Sequence, residues 1–141
     1  MSERVASCHC GALSVACSGE PRKVSLCHCQ QCQRRTGSAF SVAVFYDRAQ
    51  VAVQGEAASY VRPSASGFAV DFRFCPACGT VTHFTLTESA VAKFGNSMLG
   101  VNMRLAAESD LAGIELRYPD GRAWAGEGCF DYVREARILG D

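Results

Sequence analysis

Hydrophobic positions recur along this chain in short alternating runs separated by Gly, Pro, Ser and Asp. Residues 13–17 (LSVAC) alternate, Lys23–Cys27 (KVSLC) repeats the pattern, and residues 40–46 (FSVAVFY) add aromatic and β-branched side chains. Val51–Gln54 and the stretches 59–62, 68–75 (FAVDFRFC), 81–87 (VTHFTLT), 91–94 and 114–118 follow at close intervals. A period of two over runs this short predicts half-buried strands. Helical spacing is confined to a short turn over 30–35 and a C-terminal stretch over 132–139, and Pro119-Asp120-Gly121 is a turn signal. Many strands with little helix between them predict a mainly β chain, as a sheet or a sandwich. No internal repeat or low-complexity segment interrupts the pattern.

Composition narrows the function classes. With 141 residues, 48% hydrophobic and 20% charged, the chain can bury a core, and residues 1–141 are expected to form a single domain. Fourteen basic and fourteen acidic side chains cancel. The only basic cluster is Arg34-Arg35, too small for the stripe that grips nucleic acid, so no nucleic-acid partner is expected. No apolar run nears the roughly 18 residues of a membrane span, and Met1-Ser2-Glu3-Arg4 lacks the apolar core of a signal peptide. A cytoplasmic location is the expectation.

In a reducing compartment nine cysteines call for a metal rather than disulfides. Cys8 and Cys10 are two apart, as are Cys27 and Cys29; Cys29 and Cys32 are three apart, as are Cys75 and Cys78. Thiolates this close suit convergence on one ion, whereas a disulfide between them would close a strained ring. Gly11 after Cys10, Gly79 after Cys78 and Pro76 within CPACG mark knuckle turns, where backbone N–H groups can approach sulfur. A structural zinc takes four ligands, so Cys8 and Cys10 pair naturally with Cys75 and Cys78. Cys27, Cys29 and Cys32 have no neighbouring fourth cysteine, and three ligands with an open position mark a catalytic zinc. Cys17, Cys129 or His28 could still close that site, although Cys17 and Cys129 are isolated and read more simply as core thiols. About two zinc ions per chain are expected.

Three thiolates around Zn²⁺ leave a net negative centre, poorly suited to making hydroxide from water. Such a centre suits an incoming thiol, taken as fourth ligand and kept as thiolate. Presented with a small aldehyde, that thiolate gives a thiohemiacetal; the reverse step cleaves a carbon–sulfur bond. In the strip after the cluster, Arg34 or Arg35 could pair with a ligand carboxylate, and Gly37 and Ser38 form a hydrogen-bonding turn. Their plain alternative is a strand-entry turn with surface arginines. His9 and His83 read as structural or surface histidines.

CHCGAL from Cys8, CHCQQCQRRTGSAF from Cys27 and FCPACGT from Phe74 together resemble the glutathione-dependent formaldehyde-activating enzyme family, which includes centromere protein V-like proteins. The resemblance covers roughly residues 5 to 87; from Met98 onward the histidine and Pro-Trp common in that family have no counterpart, and Trp124 stands alone in GRAWAG. It implies an Mss4-like β-sheet fold organised around zinc. It also implies a structural zinc on Cys8, Cys10, Cys75 and Cys78, and a catalytic one on Cys27, Cys29 and Cys32. The implied activity is that of a carbon–sulfur lyase, condensing glutathione with formaldehyde, with Arg35, Gly37 and Ser38 as candidate contacts to the thiol cosubstrate. A reading from another class is a non-catalytic, zinc-stapled protein-binding module; a redox-sensing thiol cluster ranks behind both.

Overall fold

Most of the alternating runs become strands. The computed structural model describes residues 2–95, 97–119 and 132–138. The first strands are β1 (Glu3–Ser7), β2 (Ser14–Ser18), β3 (Lys23–Cys27), β4 (Ser41–Tyr46), β5 (Val51–Gln54) and β6 (Ala58–Arg62). They are followed by β7 (Val70–Phe74), β8 (Val81–Leu86), β9 (Leu99–Asn102), β10 (Glu115–Pro119) and β11 (Tyr132–Ile138). Two α-helices interrupt the series among the described residues, α1 (Gln30–Thr36) and α2 (Glu88–Phe94). Strands β1-β2-β5 form a three-stranded antiparallel sheet. The other eight form one large sheet in the order β11-β10-β3-β4-β9-β8-β7-β6, antiparallel except where β10 lies parallel to β3.

Two sequence expectations are corrected. Residues 91–94 belong to α2 rather than to a strand. Thr87 caps that helix by accepting from the Ala90 N–H at 3.3 Å, Glu88 sits at its positive end, and Gly95 ends it in the left-handed conformation (φ 71°). The stretch expected to be a C-terminal helix is strand β11, paired antiparallel with β10, so sheet pairing outweighs local helical propensity. Strands β1 and β9 were not anticipated. In β1 the alternation is hidden because one inward residue is Arg4, which is 9% exposed. Its guanidinium donates to the carbonyls of Asp110 (2.7 Å) and Gly19 (3.1 Å), so a buried cation is satisfied by backbone oxygens. Asp120 and Gly121 of the expected turn, Trp124 and Cys129 lie outside the described residues.

The main core fills the space between the sheets. Ala6, Val15 and Cys17 come from the small sheet and Val24, Val42, Val44, Tyr46 and Val101 from the large one. Cys17 is fully buried there, and burial pushes its thiol up to about 11, as fits a packing role. On the other side of the large sheet, Val70, Phe72, Leu86 and Ala90 form a second cluster that seats α2.

His83, on β8, is 6% exposed and its Nδ1 lies 2.8 Å from the Thr82 hydroxyl. Burial, helped by the Arg73 charge and opposed by Asp71, holds its pKa down to about 4. An unfolded chain therefore takes up this proton first, at about pH 6.5, and folding stability is expected to fall as pH drops from there towards 4. Denaturant titrations across that range should show a difference between the native chain and His83→Gln that grows on acidification by about 2–3 kcal/mol. A difference independent of pH would mean that His83 carries its proton when folded.

Candidate metal centres and the adjoining cleft

Cys8 and Cys10 lie in the turn after β1, and Cys75 and Cys78 in the turn between β7 and β8. The four Sγ atoms all lie within 4.8 Å of one another. Cys10 Sγ is 3.6 Å from Cys8 Sγ and 3.7 Å from Cys75 Sγ. Disulfide sulfurs would be about 2.0 Å apart; the edge of a tetrahedron with metal–sulfur bonds of about 2.3 Å is about 3.8 Å. The spacing is that of shared ligands, not of a disulfide.

The backbone prepares the sulfurs. In the first turn the Gly11 N–H reaches the Cys8 carbonyl at 3.0 Å, with Gly11 at φ 82°. In the second, the Gly79 N–H reaches the Cys75 carbonyl at 2.8 Å, with Gly79 at φ 75°. Both glycines adopt the left-handed conformation that closes such a turn, which a side chain would strain. Leu13 N–H donates to Cys8 Sγ at 3.3 Å. The Thr80 hydroxyl lies 3.2 Å from Cys78 Sγ and, with the N–H groups of Thr80 and Cys10, pulls that thiol down to about 5. Four sulfurs at this range cannot all ionise without a cation among them, so the donor set fits a soft, tetrahedral metal ion. Cys8 and Cys75 pack with Leu13 into a small buried cluster that ties the two turns together.

Cys27, Cys29 and Cys32 bring their Sγ atoms within 4.8 Å of one another at the end of β3 and the start of α1. All three are half-buried. Cys29 is the N-cap of α1 and its sulfur accepts from the Cys32 N–H at 3.4 Å. Contacts with the Cys27 and Cys32 thiols, then the N–H groups of Cys32 and Gln31, draw Cys29 down to about 2, while Cys27 is driven up by Cys29, then by Cys32 and burial. One thiolate shared among three thiols is the state a metal cation would convert to full ionisation. Among the described residues no histidine, carboxylate or further cysteine joins the group, so neither His28 nor Cys17 completes it.

The open side of this group faces a cleft of about 1250 Å³ between α1 and the large sheet. Strand pairing lays one row of residues across its floor: Tyr60 opposes Phe72, Phe72 opposes Phe84, Phe84 opposes Gly100, Gly100 opposes Phe45, and Phe45 opposes Lys23. Directly paired residues share a sheet face, so four rings line up on it. Arg35, one turn along α1 from Cys32, lies over Phe72 and Phe84 at 4.9 and 5.6 Å from the ring centroids. Lys23 lies over Phe45 at 4.8 Å. Arg34 and Arg62 complete the basic lining, which contains no carboxylate among the described residues. Gly37 and Ser38 do not line the cleft. Gly37 caps α1 in the left-handed conformation, and the Ser38 hydroxyl donates to the Phe40 carbonyl at 2.7 Å, bracing the turn into β4.

Gly100 makes room for the Phe84 ring in this row, because a Cβ there would meet Phe84 Cζ at 2.5 Å. Gly100→Ala should displace the Phe84 ring and cost about 1–3 kcal/mol, read as a lower melting temperature. An unchanged melting temperature would show that the ring has room to yield. None of this row was singled out in the sequence; its only linear trace is the aromatic content of β4, β6, β7 and β8.

Comparison with known proteins agrees with the cysteine frame. The family profile described as glutathione-dependent formaldehyde-activating enzyme matches residues 3–106. Among solved structures, a Rhodobacter sphaeroides protein determined by crystallography as a structural-genomics target superposes with a TM-score of 0.52. It is 22% identical, and the match covers 72% of this chain and 85% of the other, a likeness of fold. No curated protein matches the chain significantly. The mainly β architecture, with two α-helices among the described residues, is the Mss4-like fold that the family resemblance implies. The profile takes in all seven clustered cysteines, and the chain belongs to the glutathione-dependent formaldehyde-activating enzyme family.

Proposed function

We propose that this protein is a zinc-dependent enzyme of the carbon–sulfur lyase type, adding a thiol such as glutathione to a small aldehyde such as formaldehyde. The observation that carries this reading is the contrast between the two sulfur groups. Cys8, Cys10, Cys75 and Cys78 are self-contained and tie two turns together. Cys27, Cys29 and Cys32 are three, half-buried, and open onto a basic cleft. We assign the first group to a structural zinc and the second to a catalytic-type zinc, about two ions per chain.

Zinc held by three thiolates supplies a position for one further ligand and the positive charge that keeps an incoming thiol ionised. The chain's own groups do the rest. Arg35, placed over Phe72 and Phe84, offers its N–H groups to a thiol cosubstrate's carboxylate, and Lys23 and Arg62 extend the positive surface. Gly37 and Ser38 fix the helix end from which Arg35 projects. In the addition a sulfur–carbon bond forms, the carbonyl π bond breaks, and the thiol proton ends on the former carbonyl oxygen. Nothing is oxidised or reduced.

Metal analysis of freshly purified, reduced protein should find about two zinc ions, and glutathione with formaldehyde should disappear faster with protein than without. No thiol-dependent turnover with any thiol, together with a metal environment unmoved by glutathione, would remove the reading. The alternative of a protein-binding module would call for a continuous apolar face; among the described residues the exposed large apolar side chains Val5, Phe40, Val53, Tyr60 and Val61 come from four separate segments of the sequence.

A further inference from the structure

Among the described residues the buried polar side chains are Arg4, Ser25, Ser41, Thr82 and His83. Three of them are satisfied, since Arg4 donates to backbone carbonyls and the Thr82 hydroxyl meets the His83 ring. The hydroxyls of Ser25 and Ser41 have no hydrogen-bond partner among the described residues, and both side chains line the cleft. Buried polar groups are normally paired, so a hydroxyl left open to a cleft calls for a ligand. Register says where that ligand sits. Ser41 directly opposes Cys27, and Ser25 opposes Ala43 two residues further from the sulfur group. Paired residues share a sheet face with Cβ atoms about 4.5–5.5 Å apart, so the Ser41 hydroxyl stands beside Cys27. The floor nearest the sulfurs is thus small and polar, which suits a one-carbon aldehyde.

We propose that Ser41 is a catalytic residue whose hydroxyl donates a hydrogen bond to the aldehyde oxygen. This rests on the thiol–aldehyde reading above and adds to it the group that meets the oxygen. With the thiol sulfur beside Cys27, the carbonyl oxygen is only two bonds away and within reach of Ser41. As the sulfur–carbon bond forms, the carbonyl π pair moves onto that oxygen. The thiol's proton, released to solvent when the thiolate forms, returns there; Ser41 keeps its own proton throughout, and nothing is oxidised or reduced. A buried donor aimed at developing charge needs little reorganisation. Ser41 is 9% exposed, whereas Gln30 and Gln31, which also line the cleft, are exposed.

Two conjugates that differ in one oxygen test the point without turnover. Isothermal titration of the metal-loaded full chain should find S-formylglutathione bound about 3- to 10-fold more tightly than S-methylglutathione, the return on one hydrogen bond. Isotope-edited infrared spectra should show the formyl carbonyl stretch lowered on binding. Ser41→Ala should erase both differences while leaving S-methylglutathione affinity, metal content and melting temperature about as before. Its kcat with glutathione and formaldehyde should fall about 10- to 100-fold at a nearly unchanged KM for glutathione. Ser41→Thr keeps the hydroxyl on a strand that accepts β-branching, and should retain most of each signal. A carbonyl stretch unmoved in the native chain, an alanine variant that matches it, or a threonine variant no better than alanine would overturn the role of Ser41 and leave the thiol–aldehyde reading in place. Failure of both conjugates to bind, with no turnover, would overturn both.

Discussion

Replacing Cys75 with serine is expected to leave a chain that no longer folds cooperatively. Cys75 is 1% exposed and its sulfur lies 3.7 Å from that of Cys10, across 65 residues of sequence. A hydroxyl there is a poor ligand for a soft metal and is buried beside Leu13. Structural zinc contributes about 10–16 kcal/mol in small domains, whereas total folding stability is typically about 5–15 kcal/mol. Losing two thirds of the metal term, about 7–11 kcal/mol, removes most of a typical margin. Circular dichroism on heating should show no sharp transition for Cys75→Ser, and metal content should fall. Cys17→Ala is the control: it is fully buried but outside both sulfur groups, so it should cost only about 1–3 kcal/mol and keep its metal. A Cys75→Ser protein that melts like the native one, fully metallated, would end the assignment of a structural staple.

Cys32→Ser should behave in the opposite way. Its sulfur group is half-buried, and α1, which carries it, has no buried residue, so the core barely registers the change. Metal content should fall from about two ions to about one while the melting transition stays sharp. Since removing a mere supporting partner of a metal ligand costs 10- to 100-fold, thiol–aldehyde turnover should drop by more than about 100-fold. If Cys32→Ser collapses the fold as Cys75→Ser does, the second group is another staple and its cleft is idle.

The grouping of the seven cysteines was legible because thiols that can share an ion recur at short spacings that packing alone does not impose. Strands β3 and β5 match their expected limits, since each is a clean run between turn residues. Residues 91–94 misled because VAKF shows no period in four positions; the better signals were outside it, in the Thr87 cap and Gly95. Strand β1 was concealed by an inward arginine, and β9 by Gly100, whose purpose is visible only once Phe84 lies over it. The cleft floor could not have been read at all. Its rings come from strands β4, β6, β7 and β8, and only their pairing registers bring them into line.

Helix α1 is seven residues long, below the length at which an isolated helix holds together in water, and it buries no side chain of its own. Its first turn carries the sulfur group, which a bound ion would clamp, and its last turn carries the arginine that overhangs the rings. Demetallation of that group should therefore loosen the recognition surface along with the chemistry. Chelator-stripped protein would then make a poor control for ligand binding, because affinity and turnover should decline in step as the ion is withdrawn and return in step as it is restored.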